Sequence, residues 1–377
     1  MDNLTHTLFG ATLARTPLAR AGRGTLAALV IASNAPDVDI VAAIGGAKTY
    51  LAWHRGPTHG PLGVVGLGLV TAGLVWTGRA AIDRKWRKPD KPDGANRAEN
   101  DASFRMLASI SMIGILLHIL MDLPTSYGTR LLSPFSWRWF AFDWVPIVDI
   151  YLMMALVAGL VIGELTKASR RGLAAIVLAF MAANYGLRAA AHAQAVALAP
   201  PLLTARIGPP CDAGAQVVTG PLAAWPRQDI PQPFTASGTC LVEVAAVPTF
   251  GSPFRWRVIA QLSNGYELHD IDVLDAGVRT GSSSEAFWRR TVRYPNQWTA
   301  RTVVAASTRT AAAFLGFSRF PAARTFSDAS GTTTVRWSDM RFVPGPSIRQ
   351  EPRPPNIFNV LTQIDPAGRI LREEIGR

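Results

Sequence analysis

The sequence predicts a mainly α protein. A polytopic helical membrane domain over residues 1–203 should be followed by a smaller α+β extracytoplasmic domain over residues 204–377. Three observations carry this expectation: long apolar stretches in the first half, an uneven placement of Lys and Arg, and a change of composition after Pro200. Only 17% of the 377 residues are charged and 49% are hydrophobic, against about 25% charged in an average soluble chain. That excludes a disordered chain and argues against a simple soluble enzyme.

The apolar stretches are Leu26–Ala47, Pro61–Ala81, Met106–Leu123 and Asp149–Leu165, with a fifth at Leu173–Leu203 diluted by Arg188 and His192. A bilayer core takes about 20 mainly apolar residues of helix, so each is a candidate span. The first 47 residues do not read as a signal peptide. Asn34, Asp37 and Asp39 interrupt the apolar run, and no small-residue cleavage site follows a basic start.

The net charge is +12, with five lysines and none after Lys167. A basic balance suits nucleic acid, an anionic surface or the loops of an inserted protein. The apolar distribution selects the last, with the lipid bilayer as partner and no nucleic acid. Short loops rich in Lys and Arg stay in the cytoplasm. Arg79–Arg105 carries eight such residues, and Lys167, Arg170 and Arg171 fill the loop between the last two spans. Gly45–Gly60 and Pro124–Val148 carry two each and should face outward, as should the chain after Pro200. The expected location is the bacterial inner membrane, multi-pass, with the C-terminal domain outside.

In that domain Cys240–Val247, Arg255–Ser263 and Tyr266–Leu274 alternate like half-buried strands. Asn264-Gly265 between the last two is a hairpin signal. Gln297–Phe320 reads as one helix, and Thr332–Phe342 and Ile357–Ile364 as further strands. Cys211 and Cys240 are compatible with one disulfide or with two buried thiols.

Ionisable residues within apolar spans are costly and mark functional sites by default. Here they are His6, Asp37, Asp39, His54, Arg55, His59, His118 and Asp122, with Asp143 and Asp149 flanking the fourth span. His118 and Asp122 are four residues apart, on one helix face. At 1.5 Å rise per residue, His6 lies roughly 15 Å, Asp37 and Asp39 roughly 18–21 Å and His118 roughly 20 Å from the inner loops. His59 opens its span from the outer side. Residues that only pack would have no reason to share a depth.

Imidazole plus carboxylate is a donor set for zinc, with manganese a further possibility. Seven candidate ligands (His6, Asp37, Asp39, His54, His59, His118 and Asp122) exceed the needs of one ion. They suggest either two ions or one ion with carboxylates orienting its histidines. Asp37 or Asp39 is also readable as a general base, and Arg55 as a bidentate anchor for a substrate phosphate or carboxylate. Thr58, Tyr127, Asp143 and Asp149 are supporting candidates. The structural alternatives are a satisfied helix-start histidine at His6, a span boundary at Asp37 and Asp39, an interfacial loop at His54 and His59, and a helix-end pair at His118 and Asp122.

Taken together, Thr5-His6, Asp37-x-Asp39, His54-Arg55-Gly-Pro-Thr58-His59, His118-x-x-x-Asp122 and Thr125-x-Tyr127-Gly128 resemble the YdjM-type family. Ser133-Pro-Phe-Ser136 also fits. That family is described as membrane-bound, metal-dependent hydrolases and as LexA-binding inner-membrane hydrolases. The resemblance spans about residues 1–165. It implies hydrolase chemistry at a divalent-metal site; no residue reports the repressor association, and no protein partner is readable. The expected function is hydrolysis of an ester or phosphoester, small or lipid-linked, near the outer leaflet. The rivals are a metal or proton transporter, which should carry polar residues through both membrane halves, and a membrane scaffold with a structural metal.

Overall fold

The computed structural model describes residues 1–86, 101–166, 169–207, 209–212, 218–225, 239–279, 291–343 and 358–376. Lys167 and four of the basic residues of the expected cytoplasmic loop (Arg87, Lys88, Lys91 and Arg97) lie outside these, as does Ile357. In chain order the helices are α1 (Asn3–Leu13), α2 (Thr25–Ala32), α3 (Gly46–Trp53), α4 (Pro61–Trp86), α5 (Phe104–Asp122), α6 (Ile150–Leu165), α7 (Arg170–Ile207), α8 (Ala300–Ala306) and α9 (Arg309–Phe317). A single helical turn, Ala276–Arg279, is left unnumbered. The strands are β1 (Trp139–Ala141), β2 (Ala223–Trp225), β3 (Leu241–Pro248), β4 (Arg255–Leu262), β5 (Gly265–Asp272), β6 (Val292–Pro295), β7 (Pro321–Ser327), β8 (Thr333–Asp339), β9 (Asn359–Ile364) and β10 (Ile370–Ile375). The N-terminal half is helical and the C-terminal region is rich in β-sheet, so "mainly α" understates the strands.

Among the described residues, three helices are long and apolar enough to cross a membrane: Pro61–Lys85, Phe104–Asp122 and Arg170–Thr204. Ile150–Leu165 is apolar but shorter. The first expected span, Leu26–Ala47, is not one helix. The α-helix ends at Ala32, and a 3-10 segment, Ala35–Gly45, follows. The side chain of Asn34 folds back to the Val30 carbonyl (2.9 Å), and Pro36 has no N–H to give. The pair Thr25–Ala32 and Ala35–Trp53 has the character of a broken span or a re-entrant loop.

The chain forms two compact units, each assembled from separated stretches. The first comprises Met1–Ile40, Arg55–Arg138 and Val145–Gly186. In it α1 meets α2 so closely at Gly10 that a Cβ there would lie 2.8 Å from Ser33 Oγ. Asp2 caps α1 through the Thr5 amide, Ser103 caps α5 and Asp149 caps α6. Ala32, Ile115 and Ile119 form a small core with Val64, Leu67 and Leu131 around them. Arg23 ties Asp83 (2.8 Å) to Asp101 (2.7 Å).

The second unit comprises Val41–His54, Trp139–Trp144 and Leu187–Arg377. Two antiparallel four-stranded sheets, ordered β3-β4-β5-β6 and β10-β9-β8-β7, accompany the pair β1-β2. One face of the first sheet is covered by Ala191, Ala195, Ala199 and Leu203, at the four-residue spacing of one helix face. Its other face meets Phe320, Ala322 and Met340. Arg188 and His192, which dilute the fifth apolar stretch, are buried here, and His192 Nε2 lies 3.1 Å from the Ala246 carbonyl.

The β4–β5 hairpin forms where expected, but its turn is Ser263-Asn264. Gly265 opens β5, where a Cβ would lie 2.6 Å from the Tyr294 carbonyl on β6, so close backbone approach requires the glycine. The single helix expected over Gln297–Phe320 is two helices. Thr308 adopts extended backbone and caps α9 as Thr299 caps α8, and a residue in that conformation cannot continue a helix.

Cys211 and Cys240 form a disulfide, closing a sequence separation of 29. Loop-closure entropy of that size is worth about 3–4 kcal/mol. Replacing both cysteines by alanine should therefore lower the unfolding free energy of the purified protein by that order in a denaturant titration. An unchanged midpoint and slope would show that the bond does not constrain the unfolded chain.

Candidate metal centre

Four side chains of the first unit bring electron-pair donors to one point. They are Asp37 from the 3-10 segment, His59 from the turn before α4, and His118 and Asp122 from the last turns of α5. The two Nε2 atoms are 3.3 Å apart. Asp37 Oδ1 is 3.6 Å from each of them. Asp122 Oδ2 is 3.6 Å from His59 Nε2 and 3.4 Å from His118 Nε2. Ligands at about 2.0–2.1 Å in a tetrahedron stand about 3.3–3.4 Å from one another, so these separations are those of a donor set around one ion.

The hydrogen-bond partners of the rings assign their protons. His118 Nδ1 is 2.7 Å from the Ser33 carbonyl, which can only accept, so Nδ1 carries the hydrogen and Nε2 presents a lone pair. His59 Nδ1 is 3.0 Å from Thr58 Oγ1 and 3.6 Å from Asp39 Oδ2. Thr58 gives its single hydroxyl proton to Asp39 (3.4 Å), leaving its oxygen to accept from His59 Nδ1. His59 Nε2 is then also a lone pair. Two lone pairs and two carboxylate oxygens facing one point repel unless a cation lies among them. The residues present fit a divalent metal ion.

The surrounding residues hold the ligands. Arg55 has a left-handed backbone (φ 51°), uncommon for a residue with a side chain. Its amide donates to Asp39 (2.6 Å), Nη1 donates to the Gly128 carbonyl (2.9 Å), and Nη2 pairs with Asp122 (3.0 Å). The guanidinium lies over the Tyr127 ring at 4.8 Å. These Nη contacts are to the protein, where the sequence pointed to a substrate anion. His6 stacks on His118 at 3.8 Å, with Nε2 3.4 Å from Asp122 Oδ1, and neither ring nitrogen has a hydrogen-bond partner among the described residues. The Met1 amino group also pairs with Asp122.

Three expected residues have other partners. His54 ends α3 in the second unit, its ring stacked on Tyr50 at 4.4 Å. Asp143, also in that unit, pairs with Arg319 at 2.6 Å. Asp149 accepts from the Tyr151 and Leu152 amides and from Asn184, the work of a helix cap. The Ser33 carbonyl was missed, because a backbone acceptor leaves no residue-type signal; the helix break at Asn34 was the only hint.

A helical membrane protein with a buried His/Asp cluster able to hold a metal ion is the class these observations define. The family described as YdjM inner membrane protein matches residues 1–195, and the chain belongs to it. The chain is also 24% identical to "Uncharacterized protein YfhP" of Bacillus subtilis (strain 168) over 170 residues, 43% of this chain and 46% of that protein. It thus covers less than half of that relative's length. No solved structure matches the chain.

Replacing a ligand of a four-donor site removes stoichiometric binding, whereas an outer-shell change costs about 10–100-fold in affinity. Elemental analysis of purified His118→Ala and Asp122→Ala should find both depleted of bound divalent metal relative to the parent. Full occupancy in both variants would remove α5 from the site.

Proposed function

We propose that the protein is an inner-membrane, metal-dependent hydrolase acting on an ester or phosphoester, small or lipid-linked, near the outer leaflet. The observation that carries the reading is the convergence of two imidazole lone pairs, 3.3 Å apart, each 3.4–3.6 Å from both carboxylates. Asp37, His59, His118 and Asp122 would hold the ion, zinc by the donor set, with manganese the alternative. A bound divalent ion supplies Lewis acidity and lowers the pKa of water to near 7.

The protein's own residues supply the rest. Asp39 with Thr58 and the Ser33 carbonyl hold the two imidazoles with their Nε2 lone pairs inward. Arg55 fixes Asp122. Asp37 is the only one of the four ligands with side-chain exposure, 13% against 0% for the others, so substrate approaches from its side. His6, with no hydrogen bond committed at either ring nitrogen, is positioned to take a proton from the attacking water.

The Cys211–Cys240 disulfide supports an oxidising location for the C-terminal region, in agreement with the Lys and Arg asymmetry of the loops. A fusion at the C-terminus to a reporter active only in the cytoplasm should be silent. Reporter activity would invert the topology and move the metal site to the inner leaflet.

Purified protein should contain stoichiometric zinc or manganese and cleave at least one ester or phosphoester in a substrate screen, with loss on chelation. Metal without turnover across both classes would turn the reading toward transport or a structural ion. Arg55→Lys keeps the charge but not the planar fork that spans Gly128 and Asp122. It should weaken metal affinity by roughly 10-fold or more. Unchanged affinity would show that Arg55 does not position Asp122.

A further inference from the structure

The loop after α5 holds a group of polar side chains that the metal centre does not use. Thr129, Arg130 and Ser133 fall within five residues, are 0%, 5% and 0% exposed, and are drawn into one turn by a hydrogen bond from the Ser133 amide to the Arg130 carbonyl (3.1 Å). Neither Thr129 Oγ1 nor Ser133 Oγ has a hydrogen-bond partner among the described residues. Burying a hydroxyl without a partner forfeits its bonds to water, and such a group asks for an explanation.

The turn is pinned beside the metal ligands. Ser133 presses its carbonyl against Gly60, the residue after His59, leaving no room for a Cβ there. Leu131 packs on the cluster of Ala32, Ile115 and Ile119, from α2 and α5. Arg130 lies over the Trp137 ring at 5.0 Å, and the groups whose charge it feels are Tyr127 and Asp39, the latter being the carboxylate behind His59. Burial lowers its pKa to about 10, which leaves it cationic at neutral pH.

A buried guanidinium and two buried hydroxyls in one fixed turn are hydrogen-bond donors of the kind that an anionic oxygen group accepts from. We propose that Thr129, Arg130 and Ser133 form an oxyanion subsite that takes the non-bridging oxygens of a phosphoryl group. This rests on the hydrolase reading and narrows its substrate class to phosphoesters. Arg55, whose Nη atoms hold Gly128 and Asp122, is not needed for that task. The phosphoryl group is either a lipid headgroup or a free phosphate ester.

The test is calorimetric titration of the full chain in detergent with inorganic phosphate and with dihexanoyl phosphatidic acid, in metal-loaded and chelator-stripped protein. Arg130→Gln should weaken at least one ligand by roughly 10-fold or more with metal content unchanged, while the exposed Arg138→Gln should leave both alone. The ligand that depends on Arg130 identifies the source. Parental affinity for both ligands in Arg130→Gln overturns the subsite. If that variant fails to fold, Thr129→Val and Ser133→Ala take its place, and parental affinity in both overturns it equally. Arg130-dependent binding in a protein whose parent carries no metal would sink the hydrolase reading and leave the subsite standing.

Discussion

Two imidazole lone pairs and two carboxylate oxygens aimed at one buried point are the constraint to which the helical unit answers. Each ion taken from water into a protein interior costs several kcal/mol, and that cost is offset only by close opposite charge and satisfied hydrogen bonds. The helices therefore do more than pack. The end of α2 delivers the Ser33 carbonyl to His118, the close approach at Gly10 holds that helix end against α1, and the end of α5 supplies two ligands four residues apart. Arg55 joins the supporting carboxylate Asp39 through its amide and the ligand carboxylate Asp122 through its side chain. One residue in a strained backbone conformation thus couples both acidic layers of the site.

Much of this is legible in the sequence because polar residues in apolar spans have few other reasons to be there. Asp37, His59, His118 and Asp122 are all visible by that rule, and the spacing of His118 and Asp122 already places them on one helix face. The rule marks residues but not their distance from the ion. His54 and His59 share one short motif, yet a left-handed residue and a proline lie between them; His59 joins the other donors, while the His54 ring stacks on Tyr50. Asp149 carries the same charge as Asp122 but sits just before an amide-rich helix start, where capping uses it.

The strands of the C-terminal unit were readable from alternation because one periodic face per strand is buried. The helix boundaries were less so, since Thr299 and Thr308 are ordinary residues inside a helical pattern until their side chains bond forward to the amides of Thr302 and Ala311. The fifth apolar stretch shows a different ambiguity. Ala191, Ala195, Ala199 and Leu203 give the same hydropathy whether a helix faces lipid or a sheet, and here they face β-strands.

The break in the first apolar stretch follows from the demands of His59. An imidazole that binds a cation through Nε2 needs an acceptor at Nδ1 on the opposite side of the ring. Thr58 Oγ1 is that acceptor, 3.0 Å from Nδ1 and itself held by Asp39, while Asp37 Oδ1 stands 3.6 Å from Nε2 as a fellow donor to the ion. Asp37 and Asp39, two residues apart in the 3-10 segment Ala35–Gly45, stand about 120° apart around the axis, at three residues per turn, against about 160° in an α-helix. The tighter winding brings both carboxylates toward one side, where His59 lies. A long 3-10 run is poorly hydrogen-bonded and rarely kept without a reason. Placing Asp39 behind Thr58 and Asp37 beside the Nε2 lone pair is such a reason, and it falls where Asn34 and Pro36 end the α-helix of the first apolar stretch.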